Sequence, residues 1–372
     1  MLDRLLLTCL LCLLISGCRE AASPGGGSPP TAEVSSAIAK PPADDPAAVI
    51  TLEALGATLK RDGNGNVTEV SLRNTTASDH DIAHAAKLME LKSLLLNDLP
   101  LTDEGLAHLA EMKAPLANLD LRGAAISNAG LQSITHLKTL RALKLSGENS
   151  SMSVDDDGMK FIAELPNLKA LGLDQVWITE PGIEQLTSLA NLEELYLAKT
   201  PIGDEALTSI QRMPRLRKLR ISQNQITDAG LAHLAGNPTL EELDLSENSQ
   251  LTDAGMAHLS GMTSLTKLNL WRLGISDEGV RHLSTLVNLE WLNLDNTQLT
   301  DAGLPALQDM TKLKFLHIGS TQVSDAGLPA LSSLTSLDDL KVTRTAVTEA
   351  GVAELQKQLP DTAIQLKYIE GQ

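Results

Sequence analysis

Aromatic side chains are nearly missing: three Trp, two Tyr and two Phe in 372 residues. A core cannot be built around rings at that frequency, so the 42% of hydrophobic residues must close it with aliphatic side chains in a repetitive arrangement. Cysteine is scarce too, and all three, Cys9, Cys12 and Cys18, precede Arg19. The rest of the chain has no thiol for nucleophilic catalysis and no possible disulfide. Basic residues are outnumbered, 30 Lys and Arg against 47 Asp and Glu for a net charge of -17. That balance repels polyanions and argues against nucleic acid as a ligand. Beyond the N-terminus there is no apolar run of about eighteen residues, so no internal transmembrane helix is expected. Also missing are G-x-S-x-G, G-x-x-x-x-G-K-S/T and a G-x-G-x-x-G after a strand. Neither an enzyme nor a cofactor is expected.

The N-terminus reads as an address. After Asp3 and Arg4, the apolar stretch Leu5 to Ile15 is short for a bilayer and has the length of a signal-peptide core. It ends in Ile15-Ser16-Gly17-Cys18, which resembles the bacterial lipobox. The resemblance implies a signal peptide over 1–17, Cys18 as the lipidated first residue of the mature chain, and a place in the cell envelope. Arg19 stands where an Asp favours retention in the inner membrane, which implies the outer membrane or cell surface. A buried N-terminal helix with an incidental cysteine is the alternative. From Arg19 to Ala48 the chain carries Gly25 to Gly27 and the pairs Pro29-Pro30 and Pro41-Pro42 without apolar periodicity. Residues 18–48 are therefore expected to be a disordered tether that holds the folded part several nanometres from the lipid, at about 5 to 6 Å times the square root of the residue number.

Beyond the tether the sequence repeats itself. Twelve copies of L-x-x-L-x-L start at Val67, Leu91, Leu116, Leu140, Leu168, Leu192, Leu216, Leu240, Leu265, Leu289, Leu313 and Leu337. Their spacing is 24 or 25 residues except for one of 28, where an insertion near Gly147 to Ser153 belongs in a loop. Each copy continues into a phrase such as Ile226-Thr227-Asp228-Ala229-Gly230-Leu231. In Leu216-Arg217-Lys218-Leu219-Arg220-Ile221 the alternation puts Leu219 and Ile221 on one side and Lys218 and Arg220 on the other, as a strand requires. Thr227 and Asp228 supply capping oxygen and negative charge for a helix start, and Leu231 and Leu234 share its inner face. Pro305 and Pro329 are tolerable only in a first turn, so the helices are short. One repeat cannot bury its own leucines; stacked neighbours can.

On these motifs the chain resembles the leucine-rich repeat family over residues 67–359, and T-D-x-G-L looks most like the helical subtype of F-box-associated repeat proteins. The resemblance implies an α/β solenoid curved as a horseshoe, with a parallel β-sheet on the concave face and short helices on the convex face. No repeat contains a cysteine, and no F-box-like segment precedes the array. Residues 49–66 read as an N-terminal cap, with the turn Asp62-Gly63-Asn64-Gly65-Asn66 leading into Val67, and 360–372 as a C-terminal cap whose Ala363 to Tyr368 alternates like a closing strand.

A solenoid leaves the inner face of its sheet open to water, which makes that face the default binding surface. Tyr196, Trp271, Trp291 and Phe315 fall on it. Trp291 and Phe315 take equivalent places on adjacent strands, about 4.8 Å apart, with Lys267 across from Trp291 and His317 two residues from Phe315. Trp271 lies about 13 Å further along the strand direction and marks the edge of the site. With Asn293 and Arg220 these residues form the expected partner-binding surface; the alternative is a cross-strand stack that stiffens the sheet. The row Glu194, Lys218, Glu242, Lys267 alternates in sign and reads as self-neutralised.

His80-Asp81-Ile82-Ala83-His84 has the spacing of the H-E-x-x-H zinc motif, and Glu104 and His108 stand at matching places in the next repeat. Register places all four on the solvent side of the convex helices, so a solvated polar face is expected and no metal site. Asp155-Asp156-Asp157-Gly158 aligns with T-D-x-G and reads as a helix start rather than a cation loop. Asn-x-Ser/Thr triplets at Asn66, Asn74 and Asn149 carry no weight behind a lipobox.

The function expected is that of a monomeric, lipid-anchored scaffold that binds a protein partner on its concave sheet. The alternatives are a structural or adhesive surface protein and an F-box-associated-like substrate adaptor.

Overall fold

Each L-x-x-L-x-L segment forms a short strand because its second and third leucines face inward while the residue between them faces water. In the computed structural model, which describes residues 44–148 and 151–367, these strands are β2 (Val67–Ser71), β3 (Ser93–Leu95), β4 (Asn118–Asp120), β5 (Ala142–Ser146), β6 (Ala170–Asp174), β7 (Glu194–Tyr196), β8 (Lys218–Arg220), β9 (Glu242–Asp244), β10 (Lys267–Asn269), β11 (Trp291–Asn293), β12 (Phe315–His317) and β13 (Asp339–Lys341). With β1 (Thr58–Arg61) before them and β14 (Ala363–Gln365) after, they make one sheet in chain order. All pairs are parallel and in register except β1 with β2, which is antiparallel. The chain divides into Met1–Pro41 and Pro42–Gln372, and the described residues all lie in the second unit. The expected signal peptide, Cys18, residues 18–43 of the tether, Asn149, Tyr368 and the end of the C-terminal cap lie outside the described residues. No helix among the described residues is long and apolar enough to cross a membrane.

Leu195, Leu219, Leu243, Leu268, Leu292, Leu316 and Leu340 pair one to the next across seven strands, and all are buried. At about 1.5 to 3 kcal/mol for each leucine hidden from water, such columns are what the repeat is built to form. Behind most strands the chain turns through a residue in the left-handed region, for example Gln223 (φ 55°), Glu247 (59°) and Arg272 (55°). This conformation costs a non-glycine residue about 1 to 2 kcal/mol. The cost is offset by stacking, since each of these amides donates to a carbonyl of the next turn: Gln223 to Ser246 at 2.9 Å, Glu247 to Trp271 at 2.9 Å.

The T-D-x-G phrase works across repeats. Thr227, Thr252 and Ser276 do cap their own helices through their side-chain oxygens. The Asp, expected to act on its own helix start, reaches instead to the following repeat. Asp204 accepts from the amide of Thr227 at 2.8 Å and from its hydroxyl at 2.6 Å. Asp277 bonds Thr300 in the same way, at 2.8 and 2.6 Å, and Asp325 bonds Thr348 at 2.7 and 2.6 Å. The glycine gives this carboxylate its place: a Cβ on Gly230 would overlap Asp204 Oδ1, and one on Gly303 would overlap Asp277 Oδ1. The Asp155-Asp156-Asp157-Gly158 segment follows the same rule, with Asp155 capping the helix Asp156–Ile162 and Asp156 bonding the amide of Thr179 at 2.7 Å. Pro305 and Pro329 sit at the start of the single 3-10 turns Leu304–Leu307 and Leu328–Leu331.

The N-terminal cap begins earlier than residue 49. A helix spans Pro46–Ala54, with Asp45 accepting from the amide of Ala47 at 2.9 Å and Ala48 and Leu52 buried beneath it. Asp44 accepts from the amides of Val67 at 2.6 Å and Met89 at 3.0 Å. Residues 44–48, expected within the tether, belong instead to this capped helix and its contacts, because the Pro/Asp-rich segment also contains a helix start: a capping Asp followed by Pro at the first helical position.

Candidate functional site

The residues singled out on the open face follow from register. Lys267, Trp291, Phe315 and Asp339 pair in one row across β10 to β13, and Asn269, Asn293, His317 and Lys341 in the next. Trp291 and Phe315 stack with ring centroids 4.9 Å apart and planes 5° from parallel. Lys267 Nζ lies 4.9 Å from the outer face of Trp291, and Lys341 Nζ lies 5.5 Å from Phe315. His317 meets Phe315 edge to face at 6.3 Å. The result is a ladder of ammonium, ring, ring and ammonium over four strands, each contact contributing about 0.5 to 1.5 kcal/mol. Both half-buried rings have their faces occupied from within the chain, so what they offer outward is their edges. Lys341 is the member absent from the expected set; register places it opposite His317, but only its rotamer brings the ammonium over Phe315.

Toward the middle of the sheet the rows are charged. Lys218 Nζ stands 3.2 Å from both Glu194 and Glu242, and Arg220 contacts Asp174 at 3.3 Å and Asp244 at 3.8 Å. Tyr196 donates its hydroxyl to Glu194 at 2.8 Å; burial and this bond push its pKa above the ordinary phenol value, so it stays protonated. Between these rows and the ladder lies a depression of about 270 Å³ bordered by Tyr196, Lys218, Arg220, Glu242, Lys267 and Trp291 over Leu219 and Leu243. That is below the range of about 300 to 1,000 Å³ typical of enclosed small-molecule sites and suits a feature within a larger contact surface.

Four of the expected residues, Tyr196, Arg220, Lys267 and Trp291, are thus brought to one depression. Trp271 is not among them: with Arg272 5.3 Å from its ring it borders a second, more polar depression that Arg220 also reaches. Phe315 and His317 continue the ladder away from both. Asn293 lies on the open-face row beside His317 and accepts from the amide of Asp295 at 2.9 Å. Trp177, on the flank before the helix Glu180–Leu186, is 74% exposed and lies outside the sheet face, where the strand register gives no sign of it.

Of the histidines expected on a solvated face, His80 and His108 are exposed and His84 is the one that departs from it. His80 meets His84 and His108 edge to face at 6.4 and 6.3 Å. His84 is half-buried, and its Nδ1 is shielded from solvent without a hydrogen-bond partner. Glu104 stays exposed. Among the described residues no group of carboxylate, imidazole and thiol side chains is assembled to hold a metal ion.

The family model described as "Leucine rich repeat" matches residues 214–272. Among solved structures the chain is similar to an internalin from Listeria monocytogenes, with 20% identity over 88% of this chain and 96% of that one and a TM-score of 0.56. It is also similar to a leucine-rich repeat protein of Leptospira interrogans, with 22% identity over 80% of this chain and 72% of that one and a TM-score of 0.52. At these identities the likeness is one of fold, that of a leucine-rich repeat solenoid. No curated protein matches the chain.

Proposed function

We propose that the protein is a monomeric scaffold of the bacterial cell envelope, lipidated at Cys18, that binds a protein partner on the open face of its sheet. The leucine-rich repeat solenoid is a fold typical of protein-binding scaffolds. The observation that carries the reading is the open face itself, where the exposed side chains of Arg220 and Lys267 border a depression that reaches Tyr196 at one end and Trp291 at the other. Affinity comes from the ring edges of Trp291 and Phe315, with Tyr196, Arg220, Lys267, Trp271, Asn293 and His317 supplying polar and apolar contacts around them. The bacterial origin of the two similar structures and the lipobox-like Ile15 to Cys18 support the location.

The self-paired ladder favours a second reading, a structural or adhesive surface protein whose rings stiffen the sheet. Capture from native envelopes separates the two. Wild-type protein retains one defined protein species, and Trp291→Ala with Phe315→Ala weakens that retention while the far-ultraviolet circular dichroism stays unchanged. Equal retention by the double variant removes the site, and failure to capture any defined species favours the structural reading. In the same cells fatty-acid labelling is expected for the wild type and lost in Cys18→Ala; a labelled Cys18→Ala removes the anchor.

A further inference from the structure

One point on the open face gathers three polar atoms above a glycine. Gly319 follows β12 in the row that holds Asp295 after β11 and Thr343 after β13. A Cβ built on Gly319 would stand 2.8 Å from Asp295 Oδ1, 2.8 Å from His317 Nε2 and 2.8 Å from Thr343 Oγ1. The three are largely withdrawn from water, with side chains 16% exposed for Asp295 and 22% for His317 and Thr343 buried. Asp295 and His317 are 3.7 Å apart, too far for a hydrogen bond to each other. Among the described residues no hydrogen bond uses the Asp295 carboxylate or the Thr343 hydroxyl. Lys341, which pairs with His317 across the strands, holds its ammonium over Phe315, from where its charge still acts on the His317 ring.

We propose that this notch receives a primary ammonium on an aliphatic stem, the side chain of a lysine on the partner protein. The proposal rests on the reading of the open face as a protein-binding surface. Three converging acceptors, one of them anionic, match the three donors of an ammonium group. The planar fork of a guanidinium does not converge on one point, and the carboxylate repels an anion. Burial lowers the His317 pKa below its ordinary value, which keeps the ring uncharged at neutral pH and able to accept. The edge of Phe315, next to His317, gives the methylene stem an apolar wall. Glycine is required because any side chain at 319 occupies the space between the acceptors.

The test uses the full chain and two probes, N-acetyl-lysine-N-methylamide and the same compound acetylated on Nε, titrated while backbone amide resonances are followed. The charged probe is expected to shift the amides of Gly319 and Thr343 saturably and the acetylated probe is not. Gly319→Ala, whose backbone is not in the left-handed region, and Thr343→Val should each weaken binding about tenfold or more. Acidification through the His317 titration should also weaken it, with Asp295, Asp339 and Lys341 the charged groups that face the ring. No saturable shift, an equal response to the acetylated probe, or unchanged binding by both variants overturns the proposal. Capture of a partner that Gly319→Ala leaves intact overturns the notch but not the face. Probe binding without any captured partner does the reverse.

Discussion

Gly230→Ala introduces one methyl group where the carboxylate of Asp204, one repeat earlier, now lies. The backbone does not oppose it: Gly230 sits in the helix Asp228–Leu231 without a positive φ. Taken alone, the change should stabilise the chain by about 0.4 to 1 kcal/mol through the unfolded state. The carboxylate, however, must leave the Thr227 amide at 2.8 Å and the Thr227 hydroxyl at 2.6 Å. Hydrogen bonds to a charged group contribute about 1.5 to 3 kcal/mol each, and the lower figure suits a partly exposed pair. Two such bonds less the helix gain leave a destabilisation of about 2 kcal/mol. Asp204→Ala should cost about as much or slightly more. In that background Gly230→Ala should cost clearly less than it does in the wild type, because the carboxylate is gone and only the Cα of residue 204, 3.2 Å from the new methyl, still crowds it. Urea unfolding of the four proteins, compared at unchanged denaturant dependence, reads the coupling directly. Additive losses in the double variant would refute the assignment of glycine and carboxylate to one unit.

Two further outcomes follow from the same architecture. The Thr348 hydroxyl and amide hold the Asp325 carboxyl below the usual carboxylate range. A depressed folded pKa means that the contribution is full above the unfolded value of about 3.9 and is lost as pH falls through the folded one. The stability gap between wild type and Asp325→Asn should therefore be complete at neutral pH and shrink as the pH falls from about 3.9 through the depressed folded value; a gap that does not narrow on acidification contradicts this. Asn248 is fully buried, donating to Ile221 and Leu245 carbonyls at 2.8 Å each and accepting from the Asn224 amide at 3.0 Å. Asn248→Ala strands the Ile221 carbonyl and the Asn224 amide, while the Leu245 carbonyl keeps the backbone amide of residue 248 at 3.4 Å, and should cost about 2 kcal/mol or more in urea unfolding; a loss under about 1 kcal/mol would mean that water replaces the side chain.

The strands were legible because Leu219, Leu243 and their equivalents return at nearly constant intervals, and a period of two within each copy fixes which side they face. The same register placed Trp291 beside Phe315. It did not say that Lys267 and Lys341 close both ends of the stack, since that depends on the rotamers of long side chains. The pairing of Asp204 with Thr227 was hidden for another reason: within one copy the phrase looks like an ordinary capped helix, and its second meaning exists only between copies. Asp44 and Asp45 were obscured by composition, where a Pro- and Asp-rich stretch is equally a tether and a helix start. The Gly319 notch was hidden because its three acceptors come from three neighbouring turns, and a single copy of the repeat shows only a glycine after a strand.

A stack of like turns has no intrinsic stopping point, and an uncovered first strand would invite another molecule to continue it. In β1 the direction of the backbone is reversed against β2, and Lys60 and Arg61 are exposed along it. An incoming copy that offers a strand in the running direction therefore finds the place occupied, by a ribbon of the wrong polarity carrying charge. The hairpin at the start of the array thus opposes the addition of a further parallel strand at that end.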